Sequence, residues 1–347
     1  MFDNFFGNAR AQAVLEQMIA GGRIPQTILL DGPEGVGKAT LARRFAARLM
    51  GGAEKIEQDD LSLPANIELL AEREKWPSEK RADDPFFIAS HPDFVTFGPD
   101  GPLRQISIQQ MRALKEQAQF GPLKGQRRVF LIDGLDRANE QAANSLLKTL
   151  EEPPPYLILI ATAENPYELL PTIRSRSVPV RLSRLGSTEM EQFAAARGLA
   201  DASLRVALAG GCPGVAASLD LDTYRKRREA MQALIAAASA QAPFGSWATH
   251  AEKIAAARSE KLEWYLKALY LLLEDLLHLH EGFGEVRNGD VRDALAKLAS
   301  GITFEWIRAA VHKTDDLIEM LPRNIQKNIA LDALVLELRT LAQAARA

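Results

Sequence analysis

The chain has 347 residues, 47% of them hydrophobic and 25% charged, with a formal net charge of -3. That length accommodates two or three domains with their own cores, and the composition excludes a disordered or membrane-embedded chain. The charge balance gives no basic footprint for tight, independent DNA binding, and a single cysteine, Cys212, excludes an internal disulfide or a cysteine-cluster zinc site.

In chain order, MFDNFFGNARAQ lacks the basic start and apolar core of a signal peptide, and no later apolar run reaches bilayer-spanning length. A cytoplasmic location is the expectation. The apolar run from Thr27 to Leu30 predicts a buried strand, DGPEGVGKAT from Asp31 to Thr40 a phosphate-binding loop, and ATLARRFAARLM a helix. Gly32, Gly35 and Gly37 permit positive φ and let successive N–H groups face phosphate oxygens, with Lys38 reaching the outer phosphates. Ala39 stands where a magnesium-binding Ser or Thr belongs. Thr40 cannot replace it, since one helical step turns a side chain by roughly 100°.

Residues 51–85 are polar, mainly acidic and weakly periodic, which predicts an insertion with one helix near Ala65 to Glu74. Phe94, Val95 and Phe97 then predict a strand, and Ile108, Met111 and Leu114/Lys115 give the next helix one apolar stripe. The His91, Pro92, Asp93 tripeptide is a turn leading into that strand. Lys124, Arg127 and Arg128 are expected on a solvated loop edge.

RVFLIDGLD predicts a strand ending in Asp133, a carboxylate placed to hold magnesium through water, but Gly134 occupies the position where an ATPase needs a glutamate to orient the attacking water. Asp136 is expected to cap the helix of ANEQAANSLLKTLEE. YLILIAT predicts another buried strand, whose Thr162 is placed to sense a γ-phosphate, and IRSRSVPVRL a further one. The alternation of strands and helices predicts an α/β fold with a doubly wound parallel sheet.

The succession GPEGVGK, RVFLIDGLD, ANSLLKTLEEPP, LILIATAENPYELLPTIRSRS and GGCPGVA resembles the clamp-loader subunits of the AAA+ class, in particular the delta-prime subunits of bacterial DNA polymerase III. The resemblance is specific over the first two-thirds of the chain and generic beyond. It implies an AAA+ P-loop core over residues 1–183 with the acidic insertion at about 51–88, a small helical lid over 184–241, and an all-helical collar over 242–347. It further implies that Arg176 projects across a subunit boundary as a finger on ATP bound to a neighbour, a role suited to a planar, permanently charged guanidinium. The residues alone leave open that Arg174 and Arg176 pair with surface carboxylates.

The family's motif usually ends in Ser-Arg-Cys, and Ser177 replaces that cysteine here. Motor members of the class carry a lid arginine where this chain has Gly211, Cys212, Pro213, Gly214 and Val215. With Ala39 and Gly134, three groups needed for hydrolysis are missing while Arg176 is kept. Four zinc-binding cysteines found in many relatives are absent from residues 51–90, so no structural zinc is expected. The implied ligand is ATP or ADP, with magnesium only alongside nucleotide. The implied partners are motor subunits of the gamma/tau type and delta in a hetero-pentamer, the sliding clamp, and primed DNA through the complex.

From about Pro243 the chain turns to amphipathic helices. Leu262, Leu266, Leu269, Leu273 and Leu276 are expected on one buried side of the first, and Ile329, Ala333, Leu336 and Leu338 on one side of the last. His278, His280 and Trp264 are expected as core or surface fillers. The expected function is a non-motor clamp-loader subunit. The alternatives are an autonomous AAA+ ATPase in which Thr40 or Asp136 substitutes for what is lost, and a non-catalytic adaptor with a vestigial loop.

Overall fold

A computed structural model describes Phe2 and residues 4–257, 260–320 and 326–344. Six strands form one sheet: β1 (Thr27–Asp31), β2 (Ile88–His91), β3 (Phe94–Phe97), β4 (Arg128–Ile132), β5 (Leu157–Ala163) and β6 (Val178–Arg181). Their order is β2-β3-β4-β5-β1-β6, and all neighbours run parallel except the β2–β3 pair. All seven residues of β5 are buried, as expected of a central strand covered on both faces.

The helices interleaved with these strands are α1 (Ala9–Ala20), α2 (Lys38–Met50), α3 (Ala53–Glu57), α4 (Pro64–Glu74), α5 (Ser78–Asp83), α6 (Ile108–Ala118), α7 (Glu140–Glu151), α8 (Pro171–Arg174) and α9 (Ser187–Ala196). Phe130 and Ile132 of β4 face α6 and α7 through Met111, Leu114 and Leu146, while α2 lies against β1, β4 and β5. The sheet is therefore covered on both sides, the doubly wound α/β arrangement that the sequence predicts.

The insertion contains three helices rather than one, because short polar segments such as α3 and α5 carry too few apolar residues to show a period. Arg73 of α4 is 3% exposed and is the insertion's polar centre. Its Nε and Nη2 donate to Asp100 at 3.1 and 2.8 Å, its Nη1 donates to Asp84 at 3.2 Å, and Trp76 and Phe86 flank the guanidinium. Buried Arg43 of α2 donates to Glu57 at 3.0 Å and to Asp60, which fixes the insertion to the helix after the phosphate loop. Among the described residues no group of three or more His, Cys, Asp or Glu side chains is placed to hold a metal ion.

The basic cluster expected on a loop edge divides. Lys124 is exposed, but Arg128 is 4% exposed and donates to the carbonyls of Gln117 and Phe120, closing the end of α6. The carboxylate of Asp93 accepts the amides of Leu123 and Lys124, so the tripeptide turn anchors this loop.

The chain divides into two compact units, residues 1–196 with 211–215 and residues 197–210 with 216–347. The second is helical: α10 (Ala202–Ala209), the end of α11 (Pro213–Ser218), α12 (Leu221–Ala238), α13 (Phe244–Ala256), α14 (Leu262–Glu281), α15 (Arg292–Ala299), α16 (Phe304–Met320) and α17 (Lys327–Ala344). The five leucines expected on the buried side of α14 are all buried. In α17 the expected register is off. Leu331, Leu334, Val335 and Leu338 face the core, while Ile329, Ala333 and Leu336 are exposed. The helix has two apolar rows, and only packing against its neighbours decides which is inward.

His278 and His280 make contacts at the surface, and Arg227 stacks on Trp264 at 4.5 Å. Among the described residues no helix is long and apolar enough to cross a membrane.

Candidate functional site

The phosphate loop connects β1 to α2, as the motif requires. Gly32, Gly35 and Gly37 all have positive φ, at 152°, 72° and 102°. Gly35 has a further constraint, because a Cβ there would lie 2.7 Å from Cγ2 and 2.9 Å from the backbone nitrogen of Val215. The amide of Gly214 donates to the Gly35 carbonyl at 2.7 Å, so the segment 211–215 lies directly on the loop. Leu185 N–H donates to the Gly211 carbonyl at 2.8 Å and fixes the other end of that segment. Cys212 is buried, immediately before the proline that starts α11.

Lys38 is 9% exposed, and its Nζ donates to the carbonyls of Gly32 at 2.6 Å and Pro33 at 2.8 Å. Burial lowers its pKa, against the opposing pull of Glu164, Asp133, Asp136 and Glu34. The lysine that would reach outer phosphates is thus bonded to its own loop. Ala39 and Thr40 follow in the first turn of α2, and residue 39 offers a methyl group in place of a hydroxyl.

At the end of β4, Asp133 accepts the Thr162 hydroxyl at 2.6 Å, and that hydroxyl accepts the Gly134 amide at 2.7 Å. Burial raises the Asp133 pKa, while this hydrogen bond opposes the rise. Gly134 has φ 80° and ψ 50°, a left-handed conformation costly for glutamate. Asp136 does not cap α7. Its carboxylate accepts the Glu164 amide at 2.7 Å, joining the ends of β4 and β5, and Asn139 caps the helix by accepting from Ala142 at 2.8 Å. The three glycines keep the positive φ that the motif requires, but the oxygen set for magnesium is incomplete at residue 39 and engaged at Asp133.

Arg176 lies beyond α8 and before β6. Its Nη2 donates to Glu151 at 2.9 Å, and its Nη1 to the Thr172 carbonyl at 3.1 Å and the Ser175 hydroxyl at 3.3 Å. Arg174 stacks over Tyr167 at 5.3 Å, so the two arginines have different partners.

A family model described as "DNA polymerase III, delta subunit" matches residues 7–186. A DNA polymerase III subunit delta' from Escherichia coli K12 is 30% identical over 242 residues, covering 67% of this chain and 69% of that one. The chain belongs to the delta-prime clamp-loader family of DNA polymerase III. A second delta' subunit, from Pseudomonas aeruginosa, is 30% identical over 222 residues, 62% of each chain. The chain therefore spans somewhat less than two-thirds of that relative. A gamma/tau subunit from Mycobacterium tuberculosis H37Rv is 30% identical over 183 residues, 52% of this chain and 28% of that one.

In this delta-prime family member, Gly32, Gly35, Gly37, Lys38, Ala39, Thr40, Asp133 and Thr162 gather at the carboxyl ends of β1, β4 and β5. Arg176 is held apart from them, on a turn fixed to the end of α7. Sequence reasoning missed two participants. Glu151 lies inside the quoted LLKTLEEPP block without a role, and only the fold brings it to Arg176. Phe5, which carries no local signal in the sequence, lies against the loop, since a Cβ on Gly37 would be 3.0 Å from its ring.

Proposed function

We propose that this chain is a non-motor, stator-like subunit of the DNA polymerase III clamp loader, supplying Arg176 in trans to ATP on a neighbouring motor subunit. In this reading it sits in a hetero-pentamer with gamma/tau-type subunits and delta, joined through its C-terminal helical collar, and helps to load the sliding clamp at primed DNA. Residues 1–183, 184–241 and 242–347 serve as core, lid and collar.

The observation that carries the proposal is a division of chemistry within one chain. Arg176 is a permanently charged donor whose side chain is 36% exposed, whereas the chain itself lacks a hydroxyl at Ala39 of its phosphate loop and a carboxylate at Gly134 beyond β4. A guanidinium that meets charge developing on a transferring phosphoryl group is worth about 10³ to 10⁵ in rate. A site built to hydrolyse would need both missing groups.

The test is single-turnover ATP hydrolysis by a reconstituted clamp loader with clamp and primed DNA. Arg176→Ala is expected to produce a phase slower by about 10³-fold at the site it faces, while Lys38→Ala leaves every phase within about twofold. Turnover by the isolated subunit that Lys38→Ala abolishes would overturn the proposal in favour of an autonomous ATPase.

A further inference from the structure

Arg176 is restrained in two ways. The Thr172 carbonyl and Ser175 hydroxyl belong to its own turn and fix the guanidinium relative to that turn. Glu151 is 25 residues away, the last residue of α7, and its Oε1 accepts from Nη2 at 2.9 Å. Among the described residues it is the contact that ties the guanidinium to the body of the sheet domain. Helix α8, which leads into Arg176, is four residues long and too short to hold a fixed direction alone. A guanidinium has five N–H donors. Among the described residues Nη1 has two acceptors and Nη2 one, which leaves Nε–H and a second Nη2 hydrogen for an incoming acceptor.

We infer that Glu151 is the positioning residue for Arg176, holding the guanidinium so that its remaining N–H groups meet the transferring phosphoryl group of a neighbour's nucleotide. The inference rests on the finger reading of Arg176 and deepens it. Both side chains are solvent-accessible, at 36% for Arg176 and 49% for Glu151. An exposed pair contributes little to folding, so its geometric role can be separated from stability. A finger engages charge that develops only in the transition state, so loss of the positioning carboxylate lowers the hydrolysis rate and leaves nucleotide affinity unchanged. The carboxylate also offsets part of the arginine's charge. If that electrostatic effect dominated, its removal would accelerate hydrolysis.

The test uses the same reconstituted complex, with Arg176→Ala as reference and Glu151→Ala, Glu151→Gln and Glu151→Asp compared in single-turnover hydrolysis and in nucleotide binding. Glu151→Ala is expected to slow the Arg176-dependent phase by about tenfold at unchanged nucleotide affinity and melting temperature. Glu151→Gln, which keeps an acceptor oxygen, falls between, and Glu151→Asp restores part of the rate. If Arg176→Ala creates the slow phase but Glu151→Ala stays within about twofold of wild type, or Glu151→Gln is faster than wild type, the positioning role is overturned and the finger stands. If Arg176→Ala itself has no effect, the finger reading fails and this inference with it.

Discussion

The amide of Gly214 donates to the carbonyl of Gly35 at 2.7 Å, a backbone bond between the first turn of α11 and the phosphate loop. It requires close approach from both sides, since a Cβ on Gly214 would lie 2.9 Å from the Gly35 oxygen. The segment Gly211–Val215 thereby braces the loop.

Gly35→Ala should therefore destabilise the sheet domain. The substitution forces an L-residue to φ 72° and drives its Cβ to 2.7 Å from Val215. The left-handed penalty alone is about 1–2 kcal/mol. A fall in Tm of about 5 °C is expected, read by thermal melting monitored by circular dichroism. Adding Val215→Ala should restore only part of it, because the backbone nitrogen of residue 215 remains 2.9 Å away. An unchanged Tm in the single variant would contradict the brace.

A glutamate at position 134 should not turn the chain into an ATPase. Gly134 has φ 80°, and its amide donates to the Thr162 hydroxyl that also binds Asp133, so the turn is held in a shape glutamate enters at a cost of about 1–2 kcal/mol. Gly134→Glu combined with Ala39→Thr is expected to hydrolyse ATP no faster than wild type and to melt lower. Turnover in the isolated double variant would show that two missing groups, rather than the backbone beneath one of them, account for the difference from motor subunits.

Those two glycines also mark how far the sequence carries. The strand, loop and helix around Lys38 are legible because a buried apolar run, a glycine spacing and a 3.6-residue period are local signals. The bond from Gly214 to Gly35 joins residues 179 positions apart, and no local pattern records it. The sequence places Lys38 in a phosphate-binding motif, yet its two carbonyl partners depend on how the loop folds back. In α17 the two apolar rows carry similar periodicity, so the choice of inward row belongs to tertiary packing. Asp136 and Asn139 are both good cap residues, and the geometry of the β4 turn selects Asn139.

The insertion should depend on Arg73 and be indifferent to metal chelators. Arg73 and Asp100 are both largely buried, so removing the arginine leaves a desolvated carboxylate, a loss of about 3–5 kcal/mol. Arg73→Met is expected to expose the α4–α5 connection to limited proteolysis and lower the Tm, while chelator leaves the wild type unchanged. Arg73→Lys should rescue poorly, since an ammonium cannot reproduce the planar fork shared by Asp100 and Asp84. Equal protease resistance of wild type and Arg73→Met would remove Arg73 from the centre of this insertion.

In the helical unit, Arg228 of α12 donates to both oxygens of Asp290 at 2.6 and 2.7 Å and to the side-chain oxygen of Asn288 at 3.1 Å. Tyr224 donates to the same Asn288 oxygen at 2.7 Å, and burial pushes its phenol up to about 12. Asp275 accepts both the backbone amide and the side-chain amide of Asn288, so the connection between α14 and α15 is fixed through one polar cluster. The hydrogen bonds from Arg228 hold the Asp290 carboxyl below its ordinary value. A carboxylate with a depressed folded pKa contributes stability that is present above the unfolded value near 3.8 and lost as pH falls through the folded one. Asp290→Asn should therefore destabilise the helical unit at pH 7 by about 1–2 kcal/mol, the charge-assisted value reduced for a side chain 36% exposed. The same variant should lose part of the wild type's decline in stability between pH 5 and 2, measured as urea midpoints across that range. Parallel pH profiles for the two proteins would show that Asp290 does not report the Arg228 bond.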